Sequence, residues 1–145
     1  MQLKNFPIPE VHILGIAFGV FLHLFFKVKI LPSAWTRHLV SWPLIILGMS
    51  LSLWATIEAG KIDISSPRKL VTSGPYAYSR NPMYVGWSMI YMGIFFAVNS
   101  LWLVIFFPLI MAYIHFIEVP GEERSLEQKF GSKYREYQNR VRRYL

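Results

Sequence analysis

Residues 84–117, YVGWSMIYMGIFFAVNSLWLVIFFPLIMAYIHFI, contain no acidic residue, lysine or arginine, and only Asn99-Ser100 breaks their apolar run. Two helices joined by so short a link must fold back on each other as an antiparallel hairpin. Its arms, 84–99 and 101–117, are somewhat shorter than the ~20 residues of an average membrane crossing. Outward from this hairpin, residues 11–31 and 39–57 supply two further apolar runs near that length. The 145-residue chain is 54% hydrophobic and only 16% charged, too apolar for an ordinary soluble domain of this size. These features predict an all-α, polytopic membrane protein with about four transmembrane helices (11–31, 39–57, 84–99 and 101–117). One domain is expected over residues 1–145, with a polar link at 59–83 and a C-terminal amphipathic helical cap at 118–145.

The first run carries His12, His23 and Lys27. It therefore lacks the clean apolar core and small-residue cleavage site of a signal peptide and reads as a retained span. With no cysteine, disulfides, thiolate metal sites and cysteine nucleophiles are excluded. The net charge of +7 is unevenly placed. Lys61, Arg68, Lys69 and Arg80 lie between the second and third runs; Arg124, Lys129, Lys133, Arg135, Arg140, Arg142 and Arg143 follow the fourth. Four spans put all of these on one side, which the positive-inside rule assigns to the cytoplasm. Lys27, Lys29 and Arg37 fall opposite, where the two lysines can snorkel from a helix end. No nucleic-acid recognition module accompanies the basic excess, so anionic lipid headgroups are the expected partner and nucleic acid is not.

Between the second and third runs lies LVTSGPYAYSRNPMYVG, residues 70–86. Gly74-Pro75 marks a turn, and Asn81-Pro82 reads as an N-cap followed by proline at the first helical position. Arg80 thus sits beside a helix N-terminus, where guanidinium and helix dipole together favour an anion. After the fourth run, Pro120-Gly121 is expected to end the helix. Glu122, Glu123, Leu126, Phe130, Tyr134, Tyr137 and Val141 then recur at helical spacing, with Gly131 stopping one helix and Ser132 capping the next. This aromatic stripe can lie on the membrane or fold over the link. The hairpin brings Arg80-Asn81, with Tyr76, Tyr78 and Tyr84, to the same end as Glu122-Glu123, with His115 and Glu118. One cationic and one acidic pole suit a zwitterionic ligand, and the tyrosine rings would attract a sulfonium. His12, His23 and His115 read as structural or interfacial, and no metal site is expected, since no cysteine or close acidic ligand completes one.

Gly74-Pro75-Tyr76, Arg80-Asn81-Pro82, Tyr84, Gly86, Glu122-Glu123, Leu126, Phe130-Gly131, Tyr134 and Tyr137 share order and spacing with a known signature. In them the chain resembles the isoprenylcysteine carboxyl methyltransferase family of membrane enzymes, related to the phospholipid methyltransferases. The resemblance implies S-adenosyl-L-methionine as cofactor, bound by the C-terminal half without a Rossmann domain. It implies Tyr76, Arg80, Asn81, Pro82, Tyr84, Gly86, Glu122 and Glu123 as cofactor-binding residues. Arg80, Glu122 and His115 are the expected catalytic residues, one glutamate or His115 taking the proton where the acceptor is a thiol, amine or hydroxyl. The acceptor would be a lipophilic small molecule or lipid-modified substrate, such as an isoprenylcysteine-like carboxylate. The expected location is integral to the membrane, a bacterial inner membrane with the cofactor site facing the cytoplasm. Two departures stand out: Asn81 replaces the family's usual histidine, as in many bacterial members, and Tyr113, His115 and Glu118 stand where the prenylcysteine enzymes have an arginine before the glutamates. The competing readings are an NADPH-dependent membrane reductase of the sterol-reductase type and a non-enzymatic scaffold or transport subunit.

Overall fold

A computed structural model describes residues 10–60 and 69–145. Lys61 and Arg68 of the basic link lie outside the described residues. The helices are α1 (Glu10–Phe25), α2 (Ala34–Gly60), α3 (Pro82–Val98), α4 (Leu101–Tyr113), α5 (Val119–Phe130) and α6 (Ser132–Arg140), with a 3-10 turn at Gly74–Ala77. Among the described residues the one β-bridge pairs Ser79 with Arg142. The all-helical expectation therefore holds. Two helices, Ala34–Gly60 and Leu101–Phe130, are long and apolar enough to cross a membrane, whereas Glu10–Phe25 and Pro82–Val98 are shorter apolar helices.

Small residues decide how the helices pair. Gly48 and Ser52 of α2 face Gly86 of α3, and a Cβ at Gly86 would fall 2.2 Å from the Ser52 hydroxyl and 2.8 Å from the Gly48 carbonyl. Ser41 and Ile45 receive Gly93 in the same way. Only glycine permits such backbone approach, the packing mode of helices that lack a hydrophobic drive from water. On the other side, Gly15 and Gly19 of α1 lie under Ile110 and Leu103 of α4. Tyr84, Tyr91, Phe95, Leu103, Ile110, Ile114 and Val119 form the core. Leu14, Phe18 and Phe21 of α1, Ile46, Leu47 and Leu53 of α2, and Leu109 of α4 point outward and exposed. So large an apolar exterior is the pattern of a surface covered by something other than water.

Three expected boundaries differ. The first apolar run does not continue as helix to Leu31, because α1 ends at Phe25 and the next residues form a strap over the hairpin tip. Asn99, at φ 57°, caps α3. Its side chain accepts from the Ile30 and Leu31 amides at 3.0 and 2.9 Å and donates to the Leu31 carbonyl at 2.7 Å. The α2 helix is longer than expected, at 27 residues. Pro120-Gly121 does not end the fourth helix: residues 114–118 widen into a π turn, closed by the Val119 amide on the Ile114 carbonyl, and the helix runs on to Phe130. In regular α geometry the Pro120 ring would meet the Phe116 carbonyl; the extra residue of the π turn makes room for it.

Candidate active site

The link folds under the tail. Tyr137 of α6, almost fully buried, donates its hydroxyl to the Tyr76 carbonyl at 2.7 Å, so the aromatic stripe closes over the link. Beyond α6, residues 141–145 run back across the start of α3. The Arg80 amide donates to the Arg142 carbonyl at 2.9 Å, and Asn81 Nδ2 donates to the Arg143 carbonyl at 2.9 Å. Asn81 is therefore at the N-cap position of α3 without capping it by its side chain, its Nδ2 being turned to the tail. Pro82 stands at the first helical position as expected. Ser132 likewise begins α6 without a side-chain cap, with Gly131 at φ 55° as the break.

Arg80 and Glu123 meet across this fold at 3.2 Å, with side chains 12% and 11% exposed. Arg143 completes the cluster. Its Nη2 donates to Glu123 Oε2 at 2.7 Å and its Nε to Oε1 at 3.2 Å. One buried carboxylate thus carries two guanidinium groups, an excess of positive charge that an additional anion would balance. Arg80 Nε and Nη1 are buried with no hydrogen-bond partner among the described residues. The second glutamate is engaged differently: Tyr84 donates its hydroxyl to Glu122 Oε1 at 2.9 Å. Burial, with the Glu118 and Glu123 carboxylates adding to it and the Tyr84 bond opposing, raises the Glu122 carboxyl above its ordinary range. Burial first and Glu122 second push the Tyr76 phenol up to about 12, keeping it neutral and able to donate.

Tyr76, Arg80, Asn81, Pro82, Tyr84, Glu122 and Glu123 are therefore gathered at one end of the hairpin. Gly86 is turned to α2 instead, where its missing side chain serves helix packing. His115 lies on the π turn, and its Nδ1 is 3.2 Å from the Tyr144 hydroxyl; its hydrogen bond is to the tail rather than to Arg80 or the glutamates. Nothing in the sequence distinguishes Arg143 from the tail's other basic residues, or marks Tyr144; His12, read there as structural or interfacial, is fully buried and stacks near the Tyr84 ring. Beside Tyr84 opens a cavity of about 410 Å³, lined by Leu44, Val85, Met89, Met92, Phe107 and Met111 with Ser88 and Tyr144. The Ser88 hydroxyl is spent on the Tyr84 carbonyl at 2.7 Å. A charged cluster and an almost wholly apolar cavity thus share Tyr84 as a wall.

The phospholipid methyltransferase family profile matches residues 36–133. A probable protein-S-isoprenylcysteine O-methyltransferase of Oryza sativa subsp. japonica is 26% identical over 143 residues, covering 92% of this chain and 75% of its own. The subsp. indica protein of the same description matches equally. Protein-S-isoprenylcysteine O-methyltransferase B of Arabidopsis thaliana is 34% identical over 105 residues, covering 68% of this chain and 53% of its own. No solved structure matches the chain. The profile takes in both the Arg80 turn and the Glu122-Glu123 pair, the segments that carry the resemblance, and the chain belongs to the phospholipid methyltransferase family of membrane methyltransferases.

Proposed function

We propose that the protein transfers a methyl group from S-adenosyl-L-methionine to a lipophilic acceptor, the cofactor reaching the charged cluster from water and the acceptor reaching the apolar cavity from the bilayer. The observation that carries this reading is the Arg80–Glu123–Arg143 cluster, with two buried Arg80 nitrogens, Nε and Nη1, left for an anion. The donor set fits such a cofactor: Arg80 would take its carboxylate, Glu122 its cationic or hydroxyl-bearing groups, and Tyr76 and Tyr84 would offer ring faces. When bound, the cofactor supplies an activated methyl on a sulfonium. What the chain contributes is placement and dryness. Tyr84, fixed by Glu122, stands between the two compartments and orients what enters each, and the link and tail exclude water from the contact. A carboxylate acceptor would arrive ionised and need no base; for a protonated acceptor, Glu122, buried beside Tyr84 with its carboxyl raised above the ordinary range, is the base the site offers.

Calorimetry on detergent-purified protein tests the reading. S-adenosylmethionine and its demethylated product should bind, whereas NADPH should not. Arg80→Ala should weaken cofactor binding by about 1.5 to 3 kcal/mol, roughly one to two decades in affinity, as should Glu122→Gln. Both variants should fold, because Arg143 still neutralises Glu123 in the first and Tyr84 still has a hydrogen-bond acceptor in the second. Tight NADPH binding without response to S-adenosylmethionine would replace this reading by a reductase.

A further inference from the structure

The cavity beside Tyr84 is closed on one side by the tail. Tyr144 lines it together with Met89, Met92 and Met111. Its ring is fixed from two directions, by the hydroxyl contact with His115 Nδ1 at 3.2 Å and by the preceding Arg143, whose bidentate pair with Glu123 ties the strap to the charged cluster. The methionines opposite are long and unbranched and can repack around occupants of different shape. Tyr144 is a rigid ring, held at its hydroxyl by His115.

We propose that Tyr144 is the specificity-determining residue for the methyl acceptor, its pinned ring setting how bulky an apolar chain the cavity admits. This rests on the methyltransferase reading for the identity of the occupant. An apolar chain is the occupant that the site favours, because the lining is carbon and sulfur apart from Ser88 and two tyrosine hydroxyls. The Ser88 and Tyr84 hydroxyls are already committed to the Tyr84 carbonyl and to Glu122. A polar ligand would find few unpaired groups and would forfeit its own hydration. Within such a cavity a ring held in place at its hydroxyl discriminates by size, and the discrimination is lost when it is removed.

The experiment uses the full chain in detergent with S-geranyl, S-farnesyl and S-geranylgeranyl N-acetylcysteine. These compete against a diazirine-bearing S-farnesyl analogue whose crosslinks are mapped by peptide mass spectrometry, and cofactor affinity is measured on the same samples. In the wild type, crosslinks should fall on the segments holding Met89, Met92, Met111 and Tyr144. Tyr144→Ala should shift the competition toward the geranylgeranyl compound by about tenfold relative to the geranyl one, with cofactor affinity unchanged. Tyr144→Phe keeps the ring and the Arg143 anchor of the strap but loses the His115 contact, so its competition order should lie between those of the wild type and Tyr144→Ala. Crosslinks confined to the outer groove between Leu14, Phe18 and Leu109 would overturn the proposal, as would an unaltered competition order in Tyr144→Ala. Failure of S-adenosylmethionine to bind the wild type would instead sink the methyltransferase reading, leaving the size selection of the cavity to be judged by the crosslinks.

Discussion

Arg143 and Glu122 have the least obvious roles in the site and the most measurable ones. Arg143 is one basic residue in a tail full of them, and its sequence neighbourhood reads as a lipid-facing surface; only the return of residues 141–145 across the start of α3 sets its guanidinium on Glu123. Arg80 and Glu122-Glu123 were legible because an ion between apolar runs is costly and needs a reason. Arg143→Ala should leave Glu123 with Arg80 alone, drawing that guanidinium away from an incoming anion. S-adenosylmethionine affinity should then fall about tenfold, and Arg143→Lys should recover only part of it because an ammonium cannot make the bidentate pair. Titration calorimetry decides this, and unchanged affinity in Arg143→Ala would remove the residue from the site. Glu122 offers a pH test. Its carboxyl is raised in the folded chain, so its ionised form is the disfavoured one. Its contribution to stability is full below the ordinary carboxyl range and is lost as pH rises through the raised value. Melting curves of Glu122→Gln and wild type should therefore diverge with rising pH, the variant gaining relative stability. Parallel curves from about pH 4 to pH 8 would contradict a raised carboxyl.

Helix existence could be read from hydropathy, but helix ends could not, since each was moved by a contact distant in sequence. Residues 26–31 left the helical run because Asn99 offered their amides and a carbonyl better-placed partners. The helix beginning at Leu101 outlasted Pro120 because the π turn at residues 114–118 absorbed the proline. Glycine, by contrast, announced little in the sequence and turned out to fix the pairing of α2 with α3. Gly86 sits in the signature stretch, where it suggested a cofactor contact, and the space around it shows a packing duty. Gly86→Ala should cost about 1 to 3 kcal/mol through overpacking, since the nearest atoms include the Gly48 carbonyl, which cannot swing aside. Gly121→Ala is the matched control, lying within α5 with open space around it. There the better helix propensity of alanine should raise stability by up to about 1 kcal/mol. Thermal unfolding of the two variants in the same detergent should move in opposite directions. A Gly86→Ala protein as stable as wild type would mean that α2 and α3 are not held at glycine distance.

Taken together, the helices and their connections constrain how the chain can sit in a bilayer. At about 1.5 Å per residue the 27 residues of α2 reach about 40 Å, ample for a hydrocarbon core of about 30 Å. The 16 and 17 residues of α1 and α3 reach only about 24 and 26 Å. We propose that all four apolar helices cross, α1 and α3 being completed by the strap after Phe25 and by the polar turn before Pro82. The Tyr137 bond to Tyr76 and the Arg80 pair with Glu123 hold link and tail together, so the two must share a side. The cations clustered in these segments favour the cytoplasm for it. The hairpin tip lies at the other end, but Ser100 is fully buried there, so a cysteine at that position would stay silent whatever the topology. Lys29 is exposed, on the strap whose Val28 carbonyl accepts from the Leu101 amide at 3.2 Å, and it reports the same end. In this cysteine-free chain, Lys29→Cys should label with a membrane-impermeant thiol reagent in intact cells. Thr72→Cys and Ser132→Cys, both at exposed positions, should label only after lysis. The reverse pattern would invert the orientation and place the charged cluster outside the cell, away from a cytoplasmic cofactor. Labelling of Thr72→Cys and Ser132→Cys from opposite faces would separate link from tail, and the site built between them could not form.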